Sequence, residues 1–368
     1  VFLRTFGLAL GFTVVALVLA LVYGGWAGLG LAAILAVLEI SLSFDNAVVN
    51  ATTLVKMNEH WRKMFLTLGV VIAVFGMRLV FPLLIVGITA KLTPLAAVRL
   101  ALDKRPESDH GSYAYLLSQA HPAIAAFGGM FLLMLFLEYF FTEKELYWIA
   151  PLERLLVRLG KLDALPTIVS AVVLYISAET FASSHRGTIL GAGILGIVTY
   201  LAVDGLGALF DTDSEDGASS GNGTGQVVLA AGKAGLALFL YLEVLDASFS
   251  FDGVIGAFAI TSDPVLIALG LGIGAMFIRS LTLLLVRQGA LSLYPYLEHG
   301  AHWAIGALSV LLLVSIEHEV PEVVTGLIGL GFIALAFASS LIRNRRATPP
   351  TAGRPGAARP TSEPAAVS

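Results

Sequence analysis

The chain has 368 residues, of which 57% are apolar and only 13% charged, with a formal net charge of −4 and a mean hydropathy of +0.86. A soluble domain of this size carries about twice that charged fraction, so the composition excludes an ordinary water-soluble fold, and the lack of a basic stripe excludes a nucleic-acid partner. With no cysteine there is no disulfide framework, thiolate metal site or thiol nucleophile, and any bound metal must take mainly oxygen ligands, which favours Mn2+, Mg2+ or Ca2+ over Cu or Zn.

Apolar runs long enough to cross a bilayer recur along the chain. They predict an all-α, polytopic membrane bundle with about ten spans, at residues 5–23, 27–55, 64–88, 122–142, 165–183, 187–209, 226–261, 264–286, 302–318 and 321–342. The first run, Phe6–Val22, follows Arg4 as a signal peptide would. Tyr23-Gly24-Gly25-Trp26 leads straight into the next run without a small-residue cleavage site, so the run reads as a first helix. Residues 89–121 and 143–164 read as polar or amphipathic connections, and Asp211–Gly225 as a flexible acidic loop. The tail from Arg343 is rich in Arg, Pro, Ala and Thr and is expected to be disordered.

The second span contains Glu39 and the run Ser43-Phe44-Asp45-Asn46; the seventh contains Asp246 and Ser250-Phe251-Asp252-Gly253. Glu39 and Asp246 each precede the shared aspartate by six residues. The likeness continues in order. Arg78 and Arg279 occupy the following spans, Ala120-His121 and Ala301-His302 open the next, and Glu138 and Glu317 stand near their far ends. Phe181-Ala182-Ser183-Ser184 and Phe337-Ala338-Ser339-Ser340 then mark spans five and ten. Residues 1–186 and 187–342 therefore read as two repeats, followed by the tail 343–368. Five spans is an odd number, so the second repeat enters the membrane inverted, an architecture that supports alternating access. By the positive-inside rule Arg343, Arg345 and Arg346 place the C-terminal end inside together with Lys56, Arg62 and Lys63, whereas Lys91, Arg99, Lys104 and Arg105 argue the other way.

Eight acids lie in or near spans: Glu39, Asp45, Glu138, Glu179, Asp204, Glu243, Asp246 and Asp252. Only Arg78 and Arg279 lie comparably deep. Each arginine reads as a structural partner for a carboxylate, with Glu138 as another charge-pairing candidate. Two arginines do not neutralise eight acids, and the surplus calls for protons, interfacial snorkelling or a bound cation.

On a helix Glu39, Ser43 and Asn46 share one face, and Asp246, Ser250 and Gly253 repeat it, with Glu243 one turn earlier. Residues 27–55 would run about 43 Å as one helix, beyond the ~30 Å hydrocarbon core. Local unwinding near Ser-Phe-Asp would shorten the segment and turn the aspartate toward the shared face; the alternative is a tilted, continuous helix. The candidate metal ligands are thus Glu39, Asp45, Asn46, Asp246 and Asp252, with Ser43, Ser250 and Glu243 secondary. His121 and His302 read as packing or interfacial residues, Glu179 and Asp204 as solvated, and Glu317, His318, Glu319 and Glu322 as an exposed turn.

Through Glu39-x-x-x-Ser43-Phe44-Asp45-Asn46 and Ser250-Phe251-Asp252-Gly253, the chain resembles the TerC-like integral membrane proteins, and more closely their long DUF475 branch, over most of residues 27–342. The resemblance implies a LysE-type exporter linked to manganese export and tellurium resistance. It implicates Glu39, Asp45, Asn46, Asp246 and Asp252. Ten spans exceed the seven or so of the TerC core, and Gly253 replaces the second amide. The expected protein is a multi-pass secondary transporter of the cytoplasmic membrane, exporting a divalent cation, Mn2+ foremost, with protons as possible counter-ions. The alternative is a non-transporting scaffold or stress-response protein. Neither an enzyme nor a resident cofactor is expected, and membrane lipid is a further expected partner.

Overall fold

The computed structural model of the chain describes residues 2–103, 105–162, 164–180, 185–215, 232–318 and 320–346. Its regular elements are helices, without a strand among the described residues. The first, α1 (Phe2–Leu42), folds back at Gly25, where φ is 62° and ψ is −157°, a conformation that a side chain would block. A Cβ added at Gly28 would lie 2.8 Å from the Ala20 carbonyl oxygen, so the two limbs run back along each other. Ala16 pairs with Ala36 against Ile273, and Ala20 with Ala32 against Leu266. Small side chains of this kind let helices approach closely where lipid supplies no hydrophobic drive.

Next come α2 (Phe44–Leu54) and α3 (Glu59–Val71), the latter capped by Asn58, whose side chain accepts from the Trp61 N–H. The chain then widens into a π-helical stretch at Ile72–Val80 and continues as α4 (Phe81–Thr89) and α5 (Pro94–Leu102). Helix α6 (Tyr113–Phe141) is capped by Ser112. It is followed by α7 (Ala150–Leu159), α8 (Leu165–Thr180), α9 (Arg186–Glu215) and α10 (Gly232–Ile260). Helix α11 (Pro264–Arg287) opens with proline after an Asp263 cap, both favourable at a helix start. The last elements are α12 (Ala290–Leu293), α13 (Leu297–Val314) and α14 (Glu322–Arg346).

Among the described residues eight helices are long and apolar enough to cross a membrane. The first of them is the folded α1, and α8 is a shorter apolar helix of Leu165–Thr180. Each of the ten expected segments therefore has a helical counterpart. Boundaries differ by a few residues at several ends, α3 opening at Glu59 and α13 at Leu297 for instance, and three differences are larger in consequence. Helix α6 starts at Tyr113 and carries Pro122 inside it, as spans tolerate when neighbouring groups satisfy the freed carbonyl. Asp211–Glu215, expected as loop, continue α9, while 216–225 fall outside the described residues. Helix α14 runs on through Arg346, where its three arginines complement the helix dipole; residues 347–368 lie outside the description.

The main core forms around the middle of α6, where Met130, Phe131, Leu132 and Met134 are fully buried among α9, α10 and α13. Two ends of the bundle can be told apart. At one, Trp61 packs on Phe239 of α10, the Asn344 amide donates to the Leu293 carbonyl, and Trp303 donates to Glu153 of α7. At the other, the tip of the α1 hairpin reaches the start of α11, where the Tyr23 hydroxyl donates to Asp263.

Candidate ion-binding cleft

The first Ser-Phe-Asp stretch is a helix break. Helix α1 stops at Leu42, Ser43 takes φ −100° and ψ 20°, and α2 restarts at Phe44. The expected unwinding is therefore present there, and it is one residue long. The second stretch differs, because α10 runs unbroken through Ser250–Gly253. The matching sequence thus takes two backbone forms.

The break opens a cleft lined by Glu39, Ser43, Asp45 and Asn46 from the first motif and by Phe249 and Gly253 from the second. Leu308 of α13 and Thr325 and Gly326 of α14 close its sides, around about 610 Å³ of empty space that includes its mouth. Glu39, Asp45 and Asn46 are each 7% exposed. Asp45 Oδ1 accepts the Asn46 N–H at 3.0 Å, and no basic side chain pairs with Asp45 among the described residues. Gly329 gives Asp45 its room, since a Cβ there would lie 2.8 Å from Oδ2.

Glu39 faces two ways. Its Oε1 lies 2.5 Å from Arg78 Nη2, while Oε2 lies 3.2 Å from where a Cβ on Gly253 would stand. Arg78 sits in the π-helical stretch, and its Nη1 also donates to the Ala73 carbonyl at 2.6 Å, five residues back. The Glu39 stem rests on α11 at Gly274, where a Cβ would fall 2.2 Å from Cγ. Arg78 and Glu39 thus form a buried ion pair between the π-helical stretch and α1.

Asp246 and Glu243 do not join this cleft. Arg279 holds both, its Nη2 lying 3.4 Å from Glu243 Oε1 and from Asp246 Oδ2. Its Nη1 donates to the Phe65 carbonyl at 2.8 Å, and its guanidinium lies 4.0 Å from the Phe65 ring centroid. One cation thus ties α10 and α11 to α3. Ser250 Oγ and Glu243 Oε2 are buried without a hydrogen-bond partner. The side chain of Asp252 falls outside the described residues. Among the described residues no three acidic or histidine side chains stand close enough to hold one metal ion, and Asp246, on Arg279, does not join Glu39 and Asp45 in this conformation.

Glu138 departs from its expected role. It is exposed on α6 and has no ion pair among the described residues, because Arg78 and Arg279 are taken by acids of the motif helices. Glu179 pairs with Arg186, both partly exposed, and Asp204, Glu317 and His318 are exposed. Glu319 and Ser183-Ser184 lie outside the described residues, as does the side chain of Glu322. His121 lines a small apolar pocket with Phe81 and Ser248, and His302 stacks on Tyr139 at 3.5 Å, so both pack as expected. Ser340 accepts the Tyr296 N–H, joining α14 to the start of α13.

Two features were not anticipated. Asn50 is fully buried with neither amide atom hydrogen-bonded; its spacing of four from Asn46 was the available signal. Glu153 of α7 is 1% exposed, lies 3.2 Å from His299 Nδ1, and accepts the Trp148 and Ile149 N–H groups. Its signal was weak, a single acid on an amphipathic connection.

A family model described as a protein of unknown function (DUF475) matches residues 44–347. That is most of the chain, and the chain belongs to this family. The match begins just after the helix break and so leaves Glu39 outside. No curated protein and no solved structure matches the chain.

Proposed function

We propose that this DUF475 protein is a secondary transporter that exports a divalent cation, Mn2+ foremost, across the cytoplasmic membrane. The observation that carries this reading is the cleft that joins Glu39, Ser43, Asp45 and Asn46 to Gly253 of the other motif. Buried acids inside spans ordinarily mark an ion or proton path. Two carboxylates, an amide and a hydroxyl form an oxygen set suited to Mn2+, Mg2+ or Ca2+. The kinship with TerC-like and LysE-type exporters, and the two inverted repeats, belong to the same proposal.

The asymmetry of the two motifs supports a carrier. The first motif is broken and faces an open cleft, while the second is continuous and clamped by Arg279. In an inverted repeat the opposite arrangement is the natural second state. In that state Asp246 leaves Arg279 and joins the ion. The cation travels as cargo, with protons as counter-ions on the same carboxylates.

One observation favours the alternative, a scaffold or tellurium-resistance partner that moves nothing. Both deep arginines act as helix clamps, on Glu39 and on Glu243 with Asp246. The test is ion uptake into everted vesicles, scanning Mn2+, Ca2+, Mg2+ and Zn2+, with Asp45→Asn and Asp252→Asn checked for normal membrane levels. The transporter reading expects saturable Mn2+ movement that both variants lose. The absence of movement of any cation by folded protein in correctly oriented vesicles would favour the scaffold.

A further inference from the structure

Helix α7 sorts its side chains onto three faces. Glu153, Leu156 and Val157 turn toward the protein, and Leu156 packs against the main core. Leu152, Leu155 and Leu159 form a second stripe at i, i+3 and i+7, and they are 41%, 51% and 51% exposed. Arg154 and Arg158, at i and i+4, form a third face and are exposed. A helix that packs in water would hide three such leucines. At ten residues this one is too short to span a bilayer.

Its anchors set its depth. The far end, at Gly160, rests against the backbone of Phe141, the last residue of α6. The near end is fixed by Glu153, which contacts His299 and Trp303 in the first two turns of α13. Both anchors are the ends of long apolar helices on the same side of the bundle, so α7 runs along that end instead of entering it. The segment that leads into it carries Tyr147 and Trp148, and the Arg154 guanidinium lies 5.6 Å from the Tyr147 ring centroid. Tyrosine, tryptophan, exposed leucines and arginines at a span end are the composition of a membrane interface.

Charge selects the lipid. The same end carries Lys56, Arg62, Lys63, Lys161, Arg287, Arg343, Arg345 and Arg346, which outnumber Glu59, Glu143, Glu145 and Glu298 there. The other end carries fewer basic residues: Lys91 and Arg99 are exposed, Arg105 is paired with Asp103 and Asp109, and Arg186 with Glu179. The end with the larger excess of Lys and Arg is the one that the positive-inside rule assigns to the cytoplasm, where the leaflet surface is anionic.

We propose that α7 is an interfacial helix that binds anionic phospholipid on the cytoplasmic leaflet, with Leu152, Leu155 and Leu159 in the acyl boundary and Arg154 and Arg158 on the headgroup phosphates. Glu153 hooks the occupied helix to α13, which carries Leu308 of the cleft wall.

The experiment uses the full chain in neutral detergent, with the midpoint of thermal unfolding followed as phosphatidylglycerol or phosphatidylcholine is titrated in. Phosphatidylglycerol is expected to raise the midpoint and phosphatidylcholine to leave it nearly unchanged. Each of Arg154→Gln and Arg158→Gln should raise the phosphatidylglycerol needed for half the effect by about fivefold. In the unaltered protein the effect should weaken as salt rises, since the two arginines are solvent-exposed. Equal shifts with both lipids would overturn the proposal, as would a double variant that responds like the parent. So would an equal shift from glycerol phosphate alone, because it would assign the site to a free phosphate. Should the double variant fail to accumulate, a salt-independent response of the parent protein would still sink the proposal.

Discussion

Glu39 and Arg78 form the pair on which the cleft depends, and a double-mutant cycle measures it. The 2.5 Å contact, with the two side chains 8% and 3% exposed, gives a Coulomb attraction of about 7 kcal/mol at an effective dielectric near 20. Desolvation of both ions offsets much of that. Breaking a buried pair from one side nevertheless costs about 3–5 kcal/mol, because the other charge is left without its partner. Arg78→Met and Glu39→Gln should each lose stability on that scale, whereas the double variant should lose about 1–3 kcal/mol less than the sum. Unfolding in mixed micelles of increasing denaturing-detergent content reads all three. A divalent cation adds a second signature. With Arg78 removed, Glu39 and Asp45 face each other across a cleft without a cation, and Mn2+ at a hundred times its dissociation constant should restore about 2.7 kcal/mol to Arg78→Met. Glu39→Gln should gain much less. Losses that add to within about 0.5 kcal/mol would refute the coupling, and equal rescue of both variants would refute Glu39 as a cation ligand.

Gly274→Ala would place a methyl 2.2 Å from Glu39 Cγ and should lower the unfolding midpoint, by about 1–3 kcal/mol of overpacking. Gly30→Ala, with nothing within 4 Å of its new methyl, should be neutral or slightly stabilising in the same assay; equal effects would contradict the packing of Glu39 on α11. The cysteine-free chain also permits a direct test of the α1 fold. Ala20→Cys with Ala32→Cys should join through a short bifunctional thiol reagent, whereas an unbroken helix would hold them about 18 Å apart. Lys144, in the connection after α6, is pushed down to about 8 from 10.5, chiefly by burial. Between those values the unfolded chain holds a proton that the folded chain has released. Stability should therefore rise as pH climbs from about 8 to about 10.5, and a parallel pH series on Lys144→Met should lack that rise.

Much of the architecture was legible because the bilayer leaves few choices. A run of some twenty apolar residues can only be a helix there, and each of the ten runs has a helical counterpart. Boundaries were harder for a physical reason. Tyr113–His121 are polar enough to read as a connection, yet they continue α6 as a helix capped by Ser112, and capping depends on backbone geometry more than on hydropathy. The fold at Gly25 was half legible, since Gly24-Gly25 marked a boundary between two spans without showing that the limbs pack face to face through alanines.

Glu39, Asp45 and Asn46, read together from the sequence, line one cleft, whereas Asp246 does not join them, and the pairing of the deep charges was less legible. Sequence counts the deep charges, and from two arginines and a surplus of acids it follows that some carboxylates lack a deep basic partner; among the described residues no basic side chain pairs with Asp45. Which acid each arginine takes depends on helix rotation and on gaps such as Gly274, where the missing Cβ admits the Glu39 stem. Identical Ser-Phe-Asp triplets cannot encode by themselves that one lies at a break and the other inside a continuous helix. That difference comes from their surroundings. Asp45 packs into the space left by Gly329 on α14, whereas α10 is held by Arg279, which grips Asp246, Glu243 and the Phe65 carbonyl together. If the duplicated motifs exchange roles, those two sets of contacts must exchange as well. Arg279→Gln should then loosen α10 near Ser250 while leaving the α1 break as it is, and hydrogen exchange across residues 246–256 would register it. Unchanged protection there, in a folded variant, would mean that the clamp is not what keeps the second motif helical.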